Sequence, residues 1–238
     1  MIQINKVETK KSNVPQPPAV EKGILPKLPS SYLVIGSSGS GKSTVLYNLL
    51  TSKELLGEYF NYIFVFSDVK VDDILEKLEL PKENYISDWD EVKINSIINK
   101  IEEKIENEGL ENCAKDMKIA FIFDDILNRQ KFLKGDTMRK LISTNRHYLI
   151  SVFILSQYYK AIPPICRQNA SGVIFFASSL MEIEKLSEEN CMPNQSKKEF
   201  IQIAQYATNG KHDFLFINRR GEPNQKLRKG FDTVIGFE

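Results

Sequence analysis

The chain has 238 residues, of which 42% are hydrophobic and 26% charged. These proportions are typical of a folded globular protein and exclude wholesale disorder and a fibrous protein. The formal net charge of +1 gives no overall argument for a nucleic-acid partner. The charge is nevertheless uneven: residues 53–116 carry 8 basic and 17 acidic residues, whereas residues 126–172 carry 8 basic residues and 1 acidic residue.

Residues 1–29 differ in composition from the rest of the chain. They contain five of the ten prolines and few periodic apolar positions. This pattern predicts a Pro-rich extended arm, which is either a disordered terminus or a segment that docks on a partner. The remaining residues, 30–238, are predicted to form one domain.

From residue 31 onward, short apolar runs alternate with amphipathic stretches. Buried strands are predicted at residues 31–35, 62–66, 119–123, 151–155, 173–176 and 214–217. Helices are predicted from 42 to about 56, over about 90–108, and at 137–147, 180–190 and 198–206. Strands that are apolar on both faces and alternate with helices indicate an α/β fold with a mainly parallel central sheet and helices on both faces.

The most specific motif follows the first predicted strand. Residues 36–43 read GSSGSGKS and fit the phosphate-loop pattern G-x-x-x-x-G-K-[ST], between a strand and a helix. Glycines let successive backbone N–H groups converge on a phosphate, and the helix N-terminus adds its positive dipole end. The predicted nucleotide-binding residues are Gly36, Ser37, Ser38, Gly39, Ser40, Gly41, Lys42, Ser43 and Thr44.

Roles follow from the chemistry of a bound nucleoside triphosphate such as ATP. Lys42 should reach the β- and γ-phosphates, and the Ser43 hydroxyl should bind Mg²⁺. Asp124 and Asp125 end the third predicted strand, at the sheet edge where α/β proteins hold their ligands. We expect Asp124 to bind or orient Mg²⁺ and Asp125 to deprotonate the attacking water. The alternative for this pair is a turn that merely favours Asp.

Two further polar residues are candidates for the same site. Gln157 ends the fourth predicted strand and is expected to contact the γ-phosphate or the lytic water. Arg146 precedes that strand, so it should face the opposite sheet edge and reach the nucleotide of an adjacent subunit. A surface arginine at a helix C-terminus is the alternative. Arg167 is a second candidate for this role or for DNA contact.

These motifs together resemble a known family. The segments Asn145-Arg-His-Tyr148, Ser151-Val-Phe-Ile-Leu-Ser-Gln157 and Pro163-Pro-Ile-Cys-Arg-Gln-Asn169 look like those of the genome-packaging ATPases of poxviruses, giant viruses and virophages, within the FtsK/HerA superfamily. The resemblance covers about residues 28–217. It implies a RecA-like P-loop NTPase of the additional-strand catalytic-glutamate type, although this chain has Asp-Asp where many members have Asp-Glu.

The resemblance also implies residue roles and partners. It assigns the ATPase roles to Lys42, Ser43, Asp124 and Asp125, the sensor position to Gln157 and the arginine finger to Arg146. It implies ATP and Mg²⁺ as cofactors and a homo-oligomeric ring, pentameric or hexameric, that pumps double-stranded viral DNA into a preformed capsid. Capsid or portal vertex proteins are further implied partners, and the host cytoplasm, its virus factories or the virion are the implied locations.

DNA contact is expected mainly through phosphates, and the basic block at residues 126–172 is its natural place. A ring with this basic block in its channel and the acidic residues on its outside would make DNA binding compatible with a nearly neutral chain. The weak candidates for DNA contact are Lys131, Lys134, Arg139 and Lys140. They equally fit a solvated helix face.

The main alternative function is a P-loop kinase that transfers the γ-phosphoryl group to a small molecule. It would need an arginine-bearing lid and an acceptor pocket, and the sequence shows no clear lid. A GTPase is disfavoured because no Asn-Lys-x-Asp motif occurs, and a transporter-type ATPase because Leu-Ser-Gly-Gly-Gln is missing. A nucleotide-binding subunit without hydrolysis would lack the catalytic residues that are present here.

Cysteine usage and hydropathy indicate the compartment. Three cysteines at long, irregular spacings match neither a metal-binding pattern nor a paired disulfide framework, which favours a reducing environment. The first residues lack an apolar stretch behind the basic ones, and no run of about 18 apolar residues occurs. We therefore expect a chain that is neither secreted nor membrane-spanning.

Overall fold

The computed structural model describes residues 14–68, 72–87, 90–125, 128–193 and 195–236. Within these ranges nine strands form one sheet. The strands are β1 (Ser31–Ile35), β2 (Tyr62–Ser67), β3 (Tyr85–Ile86), β4 (Ile119–Asp124), β5 (Ile150–Ser156), β6 (Gly172–Phe176), β7 (Phe214–Asn218), β8 (Leu227–Lys229) and β9 (Thr233–Val234). Their order is β3-β2-β4-β5-β1-β6-β7-β8-β9.

The sheet has a parallel part and an antiparallel part. Strands β3, β2, β4, β5, β1 and β6 pair in parallel, and β7, β8 and β9 then add antiparallel strands beyond β6. The phosphate-loop strand β1 lies between β5 and β6, where Ile35 pairs with Ser156 on one side and Phe175 on the other. This arrangement confirms the predicted α/β fold class, and it places the ends of β1 and β5 side by side.

Helices cover both faces of the sheet, as predicted. The described helices are α1 (Pro18–Glu21), α2 (Lys42–Thr51), α3 (Asp73–Glu76), α4 (Glu91–Glu108), α5 (Leu110–Asp116), α6 (Gln130–Leu133), α7 (Asp136–Thr144), α8 (Pro164–Asn169), α9 (Leu180–Asn190) and α10 (Lys197–Ala207). Helices α1, α2 and α3 pack on one face and helices α4 to α10 on the other. No helix of the described chain is long and apolar enough to cross a bilayer.

Side chains of each central strand alternate between the two cores. On β1, Leu33 and Ile35 point into the core under α4 to α10, whereas Tyr32 and Val34 point into the core under α1 to α3. All five residues of β1 are buried. Burial on both faces explains why these strands read as continuous apolar runs in the sequence.

The described part of the predicted arm, residues 14–29, lies against the sheet. It contains α1, and Leu25 and Leu28 are 2% and 4% exposed. The Asn218 side chain on β7 donates hydrogen bonds to the carbonyls of Gly23 and Ile24 at 3.2 and 3.0 Å. These residues are therefore folded rather than extended, because their few apolar side chains find a place in the core beside α2. Residues 1–13 lie outside the described ranges.

Candidate active site

A cavity of about 340 Å³ opens at the edge of the sheet where the parallel strands end. Its wall joins the phosphate loop to the polar residues that end β4 and follow β5. The predicted residues that line it are Ser38, Gly39, Gly41, Lys42, Ser43, Thr44, Asp124, Asp125 and Gln157. Gly36, Ser37 and Ser40 belong to the same loop, between β1 and α2. The fold thus brings one cluster together from three separate segments.

The phosphate loop presents backbone N–H groups that have no partner within the described chain. The N–H groups of residues 41–44 find no acceptor there, and Val45 is the first to bond back, to the Gly41 carbonyl at 2.8 Å. Gly39 and Gly41 have φ values of +74° and +109°, a left-handed region that favours glycine. Free N–H groups at the start of a ten-residue helix form a natural anion site.

The Lys42 side chain folds back along the loop. Its Nζ donates hydrogen bonds to the carbonyls of Gly36 and Ser37 at 2.9 and 3.1 Å. Burial lowers the pKa of Lys42, while the neighbouring carboxylates of Asp124, Asp125 and Asp72 oppose that shift. A cation is therefore held at the loop, next to the place where the N–H groups would receive phosphate.

Ser43 reaches a carboxylate that the sequence analysis had not singled out. Its Oγ donates a hydrogen bond to Asp72 Oδ2 at 2.9 Å. The other oxygen, Oδ1, accepts a hydrogen bond from the Ile74 N–H at 2.8 Å, so Asp72 also caps α3. Helix α3 follows β2, the strand next to β4, and this neighbourhood brings Asp72 to the cavity.

Asp124 carries the most perturbed carboxylate of the cavity wall. It ends β4 and is 9% exposed. Burial raises its pKa to about 6, Asp72 and Asp125 add repulsion, and Lys42 compensates in part. Among the described residues of the wall, three carboxylates thus lie near one lysine.

Asp125 follows the strand at once, in an unusual backbone conformation. Its φ is +47°, in the left-handed region that Asp enters more readily than most residues. Both Asp124 and Asp125 line the cavity. On the other wall, Gln157 follows β5 directly, and Leu155 and Ser156 complete that side.

Arg146 lies at the opposite edge of the sheet. It belongs to the 3-10 turn Asn145–Tyr148, which precedes β5, whereas the cavity lies beyond the end of β5. The Asn145 side chain anchors this turn by donating to the Ile150 carbonyl at 3.1 Å. The Arg146 side chain is exposed and forms no hydrogen bond or ion pair with the described residues. Within one chain, Arg146 and the cavity are therefore separated by the length of a strand.

Arg167 has a structural position that contradicts its prediction as a finger or a DNA contact. It is 6% exposed and forms an ion pair with Glu189, with Nη2 to Oε1 at 2.8 Å. It also donates to the Ile162 carbonyl and stacks its guanidinium 5.4 Å from the Tyr159 ring centre. Sequence alone missed this role because the partner Glu189 lies 22 residues away, on α9.

The basic block at residues 126–172 begins outside the described ranges, since Ile126 and Leu127 are not covered. Two of its DNA-contact candidates have acidic partners. Lys140 pairs with Glu102 on α4 at 2.9 Å, and Arg139 lies 3.7 Å from Asp136. The other two, Lys131 and Lys134, are exposed on and after α6. Basic and acidic blocks thus meet at α7 and α4.

Two titratable residues of the described cavity wall were not predicted from the sequence. Asp72 follows an apolar strand, and the rule that ligands bind beyond the ends of parallel strands would have found it. His212 precedes β7, and its Nδ1 lies 3.1 Å from the Ser40 carbonyl of the phosphate loop. No sequence signal indicated His212, because its position depends on the antiparallel pairing of β7 with β6.

Comparison with known proteins identifies the family of this chain. Residues 21–232 match the family model described as "Poxvirus A32 protein". The chain belongs to the poxvirus A32 protein family. The "DNA packaging protein OPG160" of variola virus is 27% identical to this A32-family chain over 188 residues, which are 74% of the chain and 62% of that relative. The monkeypox virus protein of the same name is 27% identical over 175 residues, 74% of the chain and 56% of that relative.

Solved structures share the fold of this A32-family chain. The "genome packaging NTPase B204 from Sulfolobus turreted icosahedral virus 2 in complex with AMP" has a TM-score of 0.55 and 14% identity, and the match covers 87% of this chain and 98% of that chain. EssC (ATPases 2 and 3) from Geobacillus thermodenitrificans has a TM-score of 0.56 and 17% identity, covering 89% and 41%. The chain therefore shares its fold with these two proteins.

Proposed function

We propose that this chain is an ATP-hydrolysing motor that moves double-stranded viral DNA into a preformed capsid. One observation carries the proposal: the phosphate loop, Asp124, Asp125 and Gln157 line a single cavity in a member of the poxvirus A32 family. The variola virus relative is named a DNA packaging protein, and B204 is named a genome packaging NTPase. Because the chain spans 62% of that variola virus relative, the activity of the complete relative is itself part of the proposal.

The residues present fit ATP with Mg²⁺. Four successive free N–H groups, at residues 41–44, suit a chain of phosphates. Oxygen atoms of Ser43, Asp72 and Asp124 line the same wall, and hard cations such as Mg²⁺ prefer oxygen ligands. Burial, with the nearby carboxylates of Asp72 and Asp125, raises the pKa of Asp124, and a bound cation would stabilise its ionised form. When bound, Mg²⁺ would neutralise charge on the phosphate oxygens.

The chain's own residues then have definite tasks. Lys42 binds the β- and γ-phosphates as a cation already directed to the loop. Asp125 accepts a proton from the water that attacks the γ-phosphorus, while the bond to the β-phosphate oxygen breaks and ADP keeps its electron pair. Gln157, across the cavity, orients that water or binds a γ-phosphate oxygen. Arg146 is assigned to the cavity of an adjacent subunit, because its own lies beyond the other end of β5.

This placement of Arg146 requires a head-to-tail assembly, which closes into a ring when the rotation between subunits permits. We propose a homo-oligomeric ring of five or six subunits around DNA, with capsid or portal vertex proteins as further partners. Contacts to DNA phosphates would make binding salt-sensitive and independent of sequence. Lys131 and Lys134 are the candidates without a described acidic partner. Virion assembly places the motor in the host cell, in cytoplasmic virus factories, or in the virion.

The decisive experiment measures the ATPase rate with and without double-stranded DNA, together with the mass of the assembly. We expect a ring whose ATPase rate rises with DNA and falls back as salt is added. A monomer that ignores DNA and is stimulated by a small phosphoryl acceptor would instead identify the kinase.

The trans role of Arg146 has its own test. Arg146→Ala should bind ATP and not turn it over. Mixing it with Asp125→Asn subunits should restore part of the ATPase rate, because some interfaces then pair an intact Asp125 with an intact Arg146. Absence of rescue at every mixing ratio would refute an arginine supplied by the neighbour.

A further inference from the structure

His212 contacts the phosphate loop from the antiparallel side of the sheet. Its Nδ1 lies 3.1 Å from the carbonyl oxygen of Ser40. A carbonyl only accepts hydrogen bonds, so Nδ1 carries the hydrogen and donates it. The imidazole also packs on Gly41, where a Cβ atom would lie 3.5 Å from Nδ1. The contact is therefore made to the peptide that joins Ser40 to Gly41.

This peptide matters for phosphate binding because its two polar groups point in opposite directions. In a trans peptide the C=O and the N–H are antiparallel. With the Ser40 carbonyl directed to His212, the Gly41 N–H is directed away from His212. That N–H belongs to the group of free donors at residues 41–44, and Gly41 lines the cavity.

A glycine makes the same peptide easy to turn over. Rotation of the Ser40–Gly41 peptide changes φ of Gly41, and glycine accepts either sign of φ. The turned peptide would present a carbonyl oxygen, rather than an N–H, to a bound phosphate. A donor that holds the Ser40 carbonyl therefore favours the peptide orientation that binds an anion.

The loop that carries His212 is itself held in place. Asp213 accepts a hydrogen bond from the Gly210 N–H at 3.1 Å and an ion pair from Lys229 at 2.7 Å. Lys229, on β8, also donates to the Asn209 side chain at 2.6 Å. His212 is thus fixed to the antiparallel strands rather than to the strands that carry the catalytic residues.

We propose that His212 is a positioning residue of the nucleotide site, whose Nδ1–H holds the Ser40–Gly41 peptide so that the Gly41 N–H stays directed to a bound phosphate. The proposal rests on the proposed nucleotide-binding function and adds a residue outside the phosphate-loop motif. It predicts that His212 acts on the phosphates and not on the base or the ribose.

Two amide variants separate the two ring nitrogens. His212→Asn places an amide N–H close to the position of Nδ1, whereas His212→Gln places it close to that of Nε2. Dissociation constants are measured by calorimetry for ATP and for inorganic triphosphate with the full chain. His212→Ala and His212→Gln should weaken both ligands about three- to tenfold, and His212→Asn should retain most of the affinity.

The matched control is His147→Ala, since His147 is exposed at the opposite edge of the sheet. It should leave both dissociation constants unchanged. Unfolding temperatures without ligand show whether each variant is folded. If His212→Ala is not folded, the comparison of His212→Asn with His212→Gln tests the proposal.

Several outcomes would overturn the proposal. They are unchanged affinity in His212→Ala, equal losses in the Asn and Gln variants, rescue by Gln alone, or a loss confined to ATP. Each of these, seen with a wild-type chain that binds ATP, refutes the role of His212 and leaves the proposed function intact. A wild-type chain that binds no ATP refutes the proposed function first.

Discussion

Two groups of charged side chains adjoin the residues after β5, and they differ in how far their charges are compensated. In the described part of the cavity wall, Asp72, Asp124 and Asp125 lie near one lysine, Lys42, and burial together with the two neighbouring carboxylates raises the pKa of Asp124 to about 6. Around Glu189, burial alone would raise its pKa, but hydrogen bonds from Arg167, Lys160 and Tyr159 outweigh it and lower the pKa to about 2. Charges that are poorly compensated are typical of a ligand site, whereas compensated charges are typical of internal support.

The largest effect on the cavity is expected from removal of the Lys42 side chain. Lys42→Ala should reduce the ATPase rate at least about 10³-fold, because the developing phosphate charge loses its fixed partner. The rate of phosphate release at saturating ATP measures this. Lys53→Ala is the control, since Lys53 pairs with Glu58 on the surface, and it should retain the wild-type rate. Full activity of Lys42→Ala would refute the site.

Removing the cation from the Glu189 group should affect folding instead. Arg167→Met leaves Glu189 without its main partner and should lower the free energy of unfolding by about 3–5 kcal/mol, measured by urea denaturation. The double variant Arg167→Met/Glu189→Leu should recover part of that loss, because it leaves no unpaired charge. If Arg167→Met lowers the free energy of unfolding no more than a surface variant does, the charged group around Glu189 does not support the fold.

The buried Asp124 carboxylate should destabilise the folded chain at neutral pH. Its folded pKa of about 6 exceeds the ordinary aspartate pKa of 3.8, so the folded state binds more protons between these values and stability falls as pH rises through them. In metal-free buffer at pH 7, Asp124→Asn should therefore raise the free energy of unfolding by about 1–3 kcal/mol. The gain should vanish near pH 4.

Glu189 should give the opposite pH dependence of stability. Its folded pKa of about 2 lies below the ordinary glutamate pKa of 4.5, so its contribution to stability is complete above pH 4.5 and is lost as pH falls toward 2. Glu189→Gln should consequently reduce the acid sensitivity of the chain. If both variants respond to pH in the same direction, the contrast between the two groups is wrong.

The smallest effect is expected at the surface. Lys140 pairs with Glu102, and both side chains are partly exposed, at 47% and 34%. Lys140→Ala should change the free energy of unfolding by at most about 0.5 kcal/mol, as exposed pairs contribute little. If the same variant weakens binding to double-stranded DNA in a salt-dependent way, Lys140 is a DNA contact despite its partner.

The sequence was informative where local pattern and tertiary structure agree. Strand β1 and helix α9 have the predicted bounds, because an apolar run buried on both faces and a helix capped by Ser179 are local features. The cavity residues after β1 followed from the phosphate-loop motif, and Asp124 and Asp125 after β4 followed from the rule about the ends of parallel strands. The helix predicted to reach about residue 56 ends at Thr51, and turns follow it.

The features that the sequence did not predict depend on contacts between distant segments. The two-residue strands β3 and β9 are too short for any periodicity to reveal them. Arg167 resembled a functional arginine until the structure showed Glu189 beside it, and His212 became meaningful only through the Ser40 carbonyl, 172 residues away. Pairings of this kind are set by topology, which a single sequence does not encode locally.

The brevity of the outermost strands has a consequence for how copies of the chain meet. Both edges of the sheet consist of two-residue strands, Tyr85–Ile86 and Thr233–Val234, within the described ranges. Long unpaired edges act as templates on which further strands add, and short ones deny a template. Lateral extension of the sheet from one copy to another is therefore disfavoured, and the proposed ring would have to form through side-chain surfaces.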